Sequence, residues 1–344
     1  AMLAVGAVDR SGSGVLASGQ GGDAGTADAG ERSPSDSANS SEPNAGDSEP
    51  DESGRGENEP EQEDPSEQEE RSDSGDDETP SGGGTSSYGG TSSGGYPEQS
   101  TVGGAVELSN RPELRIESPR PARWRLGGYD RYTGSGWERD TDPEPLAGPL
   151  ETADPESARP RYEIRAEALR PFRALAAVWR PAFADADRGV FVTDQRGLVV
   201  DQPLETNDTY VSVTYGPPSR SEAKRATGDA PPAIQQQYTQ LPSDTPARLG
   251  EKTDEITAGA ETPYEAAQAV ERWLERNKQY ALDAGHDRGN DVATEFVFEM
   301  DAGYCQYFAT EMTAMLRTQD VPTRYVTGYT TGERVGENTY LARG

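Results

Sequence analysis

Along the first third of the chain apolar residues recur at neither of the two periods that build regular structure. From Ser11 to Gly104 the text is mostly Gly, Ser, Asp, Glu and Pro, with GENEPEQEDPSEQEERSDSGDDE followed by SGGGTSSYGGTSSGG. Such a stretch cannot bury enough apolar surface to offset chain entropy, so residues 1–104 are expected to form a disordered acidic linker, extended where charged and flexible where Gly/Ser-rich. From about Ala105 to Pro217 the pattern changes to short β-branched and aromatic segments broken by Pro and Gly: AVEL, ELRIES, ARWRLGGYDRYTGSGWER, YEIRAEAL, GVFVTDQRGLVV and DTYVSVTY. The last alternates, with Tyr210, Ser212 and Thr214 on one face and Val211, Val213 and Tyr215 on the other. This predicts a β-rich domain over 105–217, antiparallel and sandwich-like. FRALAAVWRPAFAD fits a short helix and a buried strand equally.

Pro, Ser and Gly then mark a linker over 218–232, and helical signals follow through 233–344. Thr245-Pro246 can open a helix that turns Leu249 and Ile256 inward and ends at Gly259. Thr262-Pro263-Tyr264-Glu265 has the form of a capping box, with Ala266, Val270, Trp273 and Leu274 at helical spacing behind it. Phe308, Met312, Met315 and Leu316 fall at i, i+4, i+7 and i+8, which predicts an amphipathic helix from about Cys305 to Thr318. The fold class expected is α+β.

Charge sharpens this division. The 344 residues carry 62 acids against 32 bases, a net of −30. Residues 1–100 hold 23 acids and 4 arginines, with Tyr88 and Tyr96 as their only aromatics; the rest still carries a net of −11 and has all the Trp and Phe. No basic block is present to engage phosphates, so nucleic acid is not an expected partner. Lysine is confined to Lys224, Lys252 and Lys278. An acidic surplus with scarce lysine suits a protein working in concentrated salt, where screening quenches self-repulsion. No run of about 18 apolar residues is present to span a bilayer; the opening AMLAVGAV reads as a cut end, the last turns of a preceding membrane helix. Asn39-Ser40-Ser41 and Asn207-Asp208-Thr209 fit the glycosylation pattern, which matters only for a secreted chain.

Cys305 stands alone, so no internal disulfide can form. Gly303 breaks the chain just before it, and Cys305 therefore falls in the first turn of the expected helix. Unpaired backbone N–H groups and the helix dipole favour a thiolate there, the reactive form of cysteine. A lone cysteine is also commonly a small buried hydrophobe.

The stretch GYCQYFATEMTAMLR followed by VPTRYVTGY resembles the core motif of the transglutaminase-like superfamily, in which the helix bearing the cysteine precedes a strand of the form P-x-R-x-V-x-G-Y. Upstream, TPYEAAQAVERWLERNKQY and DVATEFVFEM resemble the helix pair preceding that motif in membrane-tethered bacterial and archaeal members. Trp124-Arg125, Tyr132-Thr133-Gly134 and Gly136-Trp137 match their W-R…Y-x-G-x-G-W pattern, and the resemblance runs from about Glu107 to Arg343. It implies a papain-like α+β core over 233–344 on the extracytoplasmic side of a cell membrane, held there by segments outside this chain. It also implies a thiolate that attacks a peptide or protein amide, with a His as base and an Asp that orients it. Transfer to an amine would cross-link; transfer to water would hydrolyse, and the scarcity of lysine favours water.

The His and Asp that the resemblance implies would follow the strand equivalent to NTYLARG, beyond Gly344, so the core reads as cut through its own active site and inactive by itself. His286 precedes the cysteine in a loop of Gly285, Asp287, Arg288 and Gly289 and is expected to be solvated. Tyr304 and Gln306 are candidate substrate-binding residues, with Tyr307 beside them; packing around a helix start is the alternative. Arg324 suits an ion pair as well as a substrate contact. Asp283, Asp287, Asp291, Glu299 and Asp301 follow no calcium-loop spacing and read as acidic surface. No cofactor or metal is expected, since no Walker loop, dinucleotide fingerprint or zinc spacing occurs. The rival reading is a noncatalytic surface binding or scaffolding module of the same fold.

Overall fold

The computed structural model describes residues 96–104, 109–139, 142–150, 160–286 and 291–344, together with the backbone of Leu3–Val5. The expected disorder over most of 1–95, the Asn39 acceptor, the AVEL segment and the residues 287–290 beside His286 lie outside those residues. The first strands are β1 (Leu3–Val5), β2 (Gln99–Thr101), β3 (Pro112–Glu117), β4 (Trp124–Tyr129), β5 (Arg131–Tyr132), β6 (Gly136–Glu138) and β7 (Glu144–Pro145). They are followed by β8 (Arg161–Ala168), β9 (Phe172–Leu175), β10 (Arg180–Ala186), β11 (Val190–Val192), β12 (Leu198–Leu204) and β13 (Thr209–Tyr215). Helices α1 (Arg220–Arg225), α2 (Pro232–Tyr238), α3 (Ala247–Thr257) and α4 (Pro263–Asn277) come next, then β14 (Gln279–Tyr280), α5 (Val292–Phe298) and β15 (Ala302–Gly303). The chain continues through α6 (Cys305–Thr318), β16 (Thr323–Tyr329), β17 (Glu333–Arg334) and β18 (Thr339–Arg343). The fold is α+β.

Two antiparallel sheets dominate the strand-rich region, in the orders β10-β13-β8-β3-β18-β17 and β7-β11-β12-β9. FRALAAVWRPAFAD resolves into two strands, β9 and β10, because Pro181 cannot sit inside a helix without losing a backbone bond. In β13 the buried face is the one bearing Tyr210, Ser212 and Thr214, while Val211 and Val213 are only half-buried. The hydroxyls survive burial because each of two finds a backbone partner: Tyr210 Oη accepts from Ala176 N at 2.7 Å and Thr214 Oγ1 donates to the Arg180 carbonyl at 2.9 Å.

The strands after Cys305 join sheets built by the strands long before it. β18 adds to β3, placing Leu341 opposite Arg115, and β16 pairs antiparallel with β4, placing Tyr325 opposite Tyr129. Residues on both sides of the expected 217/233 boundary therefore share hydrogen-bonded sheets and one apolar core. Within 218–232, Arg220–Arg225 form a helix closed by a reciprocal Ser219–Glu222 capping box. Order also begins earlier than composition suggests. Tyr96 and Val102 are buried, β2 pairs with β6, and the backbone of Leu3–Val5 runs parallel to β16.

The capping box at Thr262 is half formed. Thr262 Oγ1 accepts from Glu265 N at 3.2 Å with Pro263 at the first helical position, but the Glu265 carboxylate takes the N–H of Glu261 instead, at 2.9 Å. For α3 the residue at the cap is Pro246, with no side-chain bond from Thr245.

Candidate active site

Cys305 is the first residue of α6, as its sequence context requires. Gly303 precedes it because a β-carbon there would lie 2.7 Å from Phe296 and 2.9 Å from the Tyr307 β-carbon. The pairing of Ala302–Gly303 with Gln279–Tyr280 fixes the approach to the helix. Tyr304, at the N-cap, is extended and provides no side-chain cap. The first turn is thus closed by backbone alone, with Tyr307 N donating to Tyr304 O at 2.9 Å. Amide groups at such an end point outward along the axis toward whatever anion forms there.

The helix is not amphipathic in place: every residue from Cys305 to Arg317 is buried, by α3, α4 and α5 on one side and β16 on the other. The reason is visible in Thr310 and Thr313, polar residues whose hydroxyls are satisfied inside. Thr313 donates to Ala309 O at 2.7 Å, and Thr310 Oγ1 accepts from Trp137 Nε1 at 2.9 Å. Trp137 lies stacked on Tyr325 at 4.8 Å and tilted against Tyr132 at 4.9 Å. The Y-x-G-x-G-W segment is therefore the wall against which α6 and β16 are set.

At the far end of α6, Arg317 anchors the same assembly. Its guanidinium donates to Thr323 O at 3.0 and 2.8 Å and to the carbonyls of Asp130 and Gln240 at 2.7 Å each, while lying 5.0 Å from the Trp137 ring. Burial pushes this arginine down to about 9, opposed by the nearby Asp130. Sequence reasoning passed over Arg317, an arginine in the last turn of α6 whose acceptors all lie outside the helix.

Around the thiol the surroundings are aromatic. Cys305 is 6 % exposed, and Tyr304, Tyr307 and Tyr325 are fully buried. Desolvation pushes the Tyr325 hydroxyl well up, and the charge of a Cys305 thiolate raises it further. Tyr304 is raised by burial first, then by Tyr307. Tyr304 Oη donates to the Gly104 carbonyl at 3.1 Å, so the strand end after β2 crosses directly over the start of α6. Gly103, at φ +117°, is needed there: a β-carbon would lie 2.5 Å from the His286 ring.

His286 is only partly solvated. It is half-buried, edge-on to Tyr307, with Nδ1 2.9 Å from Tyr307 Oη. Glycine at 103 opens the space that admits it. Of the two candidate substrate-binding residues, Tyr304 already spends its hydroxyl on Gly104, whereas Gln306 Oε1 is buried without a hydrogen-bond partner. The acids divide. Asp291 caps α5 by accepting from Thr294 N at 2.8 Å, Glu299 pairs with Arg248 at 2.7 Å, and Asp283 and Asp301 are exposed. Arg324 lies 4.6 Å from the Tyr238 ring centroid, packed along Gly128.

Residues 251–342, which contain this helix and the strands after it, match the model of the Transglutaminase-like superfamily. The chain carries a transglutaminase-like core. It is 25 % identical over 259 residues to the uncharacterized protein YebA of Bacillus subtilis (strain 168), covering 68 % of this chain and 34 % of that one. The chain thus spans about a third of the length of that relative. In structure it resembles the periplasmic domain of TgpA from Pseudomonas aeruginosa, with a TM-score of 0.52 at 20 % identity, over 68 % of this chain and 80 % of that one. The same domain bound to ethylmercury gives 0.51, with 82 % of it covered. The transglutaminase-like core is the part of the chain in which α6, β16 and the buried aromatic wall meet. Among the described residues no helix is long and apolar enough to cross a membrane.

Proposed function

We propose that this core performs acyl transfer at peptide or protein amides through Cys305, on the extracytoplasmic side of a membrane. The observation that carries the reading is the placement of the chain's one thiol at the first position of a helix whose N-cap supplies no side chain, within a transglutaminase-like core. In this reading the thiolate attacks the amide carbonyl carbon and the oxyanion forms against the first-turn N–H groups. The amine then leaves, and water or a second amine resolves the thioester. Gln306 Oε1 accepts an N–H of the bound peptide, and Tyr304 shapes the entrance with Gly104. A general base takes the thiol proton and returns it to the leaving amine. The location draws support from the TgpA neighbour, a periplasmic domain.

Alkylation tests the thiol directly. Iodoacetamide at neutral pH should label Cys305 of the folded chain faster than it labels glutathione, and an equal or slower rate removes the basis for the enzyme reading. With the full gene product, turnover of amide-bearing peptides should vanish in Cys305→Ser; product carrying an added primary amine distinguishes cross-linking from hydrolysis, for which the lysine-poor composition argues.

A further inference from the structure

The face of β16 opposite Tyr325 carries a second concentration of chemistry. Arg324 and Tyr325 are neighbours on a strand and so point to opposite sides of it. On the Arg324 side, four arginines from four segments come together: Arg125 on β4, Arg180 at the start of β10, Arg196 in the turn before β12, and Arg324 itself. In a chain with a net charge of −30 such a gathering is against the statistical grain.

The backbone is bent to produce it. Arg125 Nη1 donates to the Trp179 carbonyl at 3.1 Å and Nη2 donates to the Gln195 carbonyl, which draws the segments bearing Arg180 and Arg196 toward it. Trp179 and Arg196 both sit at positive φ, +31° and +58°, conformations that cost non-glycine residues energy. Among the described residues neither Arg125 nor Arg196 is in an ion pair, and Arg125 Nε and Arg196 Nη1 are buried with no hydrogen-bond partner. Asp130, reached through Gln195, has one oxygen bonded by both Gln195 and Gln237. The Tyr238 ring lies under Arg324.

We propose that this cluster is a binding site for a compact divalent oxyanion, a phosphate or sulfate group, either free or as the head of a larger molecule. Guanidinium forks pair with tetrahedral oxyanions through parallel N–H bonds, and a dianion presents enough oxygens to be shared by several forks, which a halide does not. The arginines also repel one another. Burial pushes Arg125 down to about 9, with Arg324 the largest charge acting in the same direction, and Arg180 is held at about 10 by burial and then by Arg196. A bound dianion reverses that repulsion and ties β4, β10, the turn before β12 and β16 together behind the strand that borders Cys305.

The test is a thermal unfolding titration of the full chain with inorganic phosphate, ionic strength held constant with sodium chloride, and a parallel arm with glycerol phosphate. Phosphate should raise the midpoint saturably, by roughly 5 °C once it reaches about a hundred times its dissociation constant. Arg196→Gln, a change in a half-buried turn, should weaken phosphate binding at least about tenfold while leaving the chloride-only midpoint equal or higher, because a repelling charge is gone. Tighter binding of glycerol phosphate than of phosphate would identify a head-group ligand, and equal binding a free anion; both uphold the site. A non-saturable response, an equal response to added chloride, or an Arg196→Gln chain that is less stable in chloride yet responds to phosphate like wild type would overturn it.

Discussion

Helices α4 and α6 are nearly the same length, 15 and 14 residues, yet they are solved by different physics. In α4 five residues are buried, a stripe of Tyr264, Ala266, Ala267, Val270 and Leu274, and Thr262 caps its first turn. In α6 thirteen consecutive residues are buried and no side chain caps the start. A helix that faces water on one side can be stabilised by its own ends. One enclosed on all sides must have its polar groups answered by neighbours, and an uncapped start leaves backbone amides for a ligand or a forming charge. The contrast separates a capped surface helix from an enclosed one whose uncapped start is where the proposed chemistry would sit.

The strongest way to break the contrast is at Arg317. Arg317→Leu removes donors to three backbone carbonyls and the packing on Trp137, and should cost about 3–5 kcal/mol or prevent folding, read by denaturant unfolding. A loss under about 1 kcal/mol would mean that α6 is held by apolar packing alone. Next is Thr310→Val, which keeps the shape but strands the buried Trp137 N–H; it should cost about 2 kcal/mol, and a neutral result would show that this bond does not matter.

Glu311 sharpens the comparison with the opposite sign. Both of its carboxylate oxygens are buried without hydrogen-bond partners, and burial, then Asp291, raises it well above the ordinary carboxylate range despite Lys278. The folded state therefore keeps a proton that the unfolded chain has released. The associated stability is fully present below the unfolded pKa of about 4.3 and is lost as pH rises toward the folded value. Glu311→Met should accordingly gain about 1–2 kcal/mol over wild type at pH 8 and less at pH 4.5. An unfolding midpoint difference that does not change with pH would refute a protonated Glu311. The smallest effect is expected in α4, where Thr262→Ala should cost about 1 kcal/mol and leave Cys305 alkylation unchanged.

Legibility followed the same division. The ends of α6 and the start of α4 could be read from residues because their signals are local: Gly303 before Cys305, and Thr262-Pro263. The inward face of β13 could not be chosen from the sequence, since Tyr210 and Thr214 bury their hydroxyls only because the carbonyls of Ala176 and Arg180 await them. His286 was misjudged for a related reason. Its environment is created by the missing side chain of Gly103, 183 positions away along the chain, and by Tyr307.

The sequence by itself determined helices α3, α4 and α6 and many of the strands, the acid-rich charge balance and the place of the one thiol at a helix start, because periodicity, turn residues and residue chemistry act over a few positions. Only the tertiary structure decided that strands 200 residues apart share sheets, that α6 is enclosed on every side, that Arg317 and Trp137 hold it, and that four arginines meet behind β16. Those outcomes depend on which distant backbone groups and side chains arrive within hydrogen-bonding or Coulombic reach, and that is a property of the folded arrangement rather than of any local run of residues.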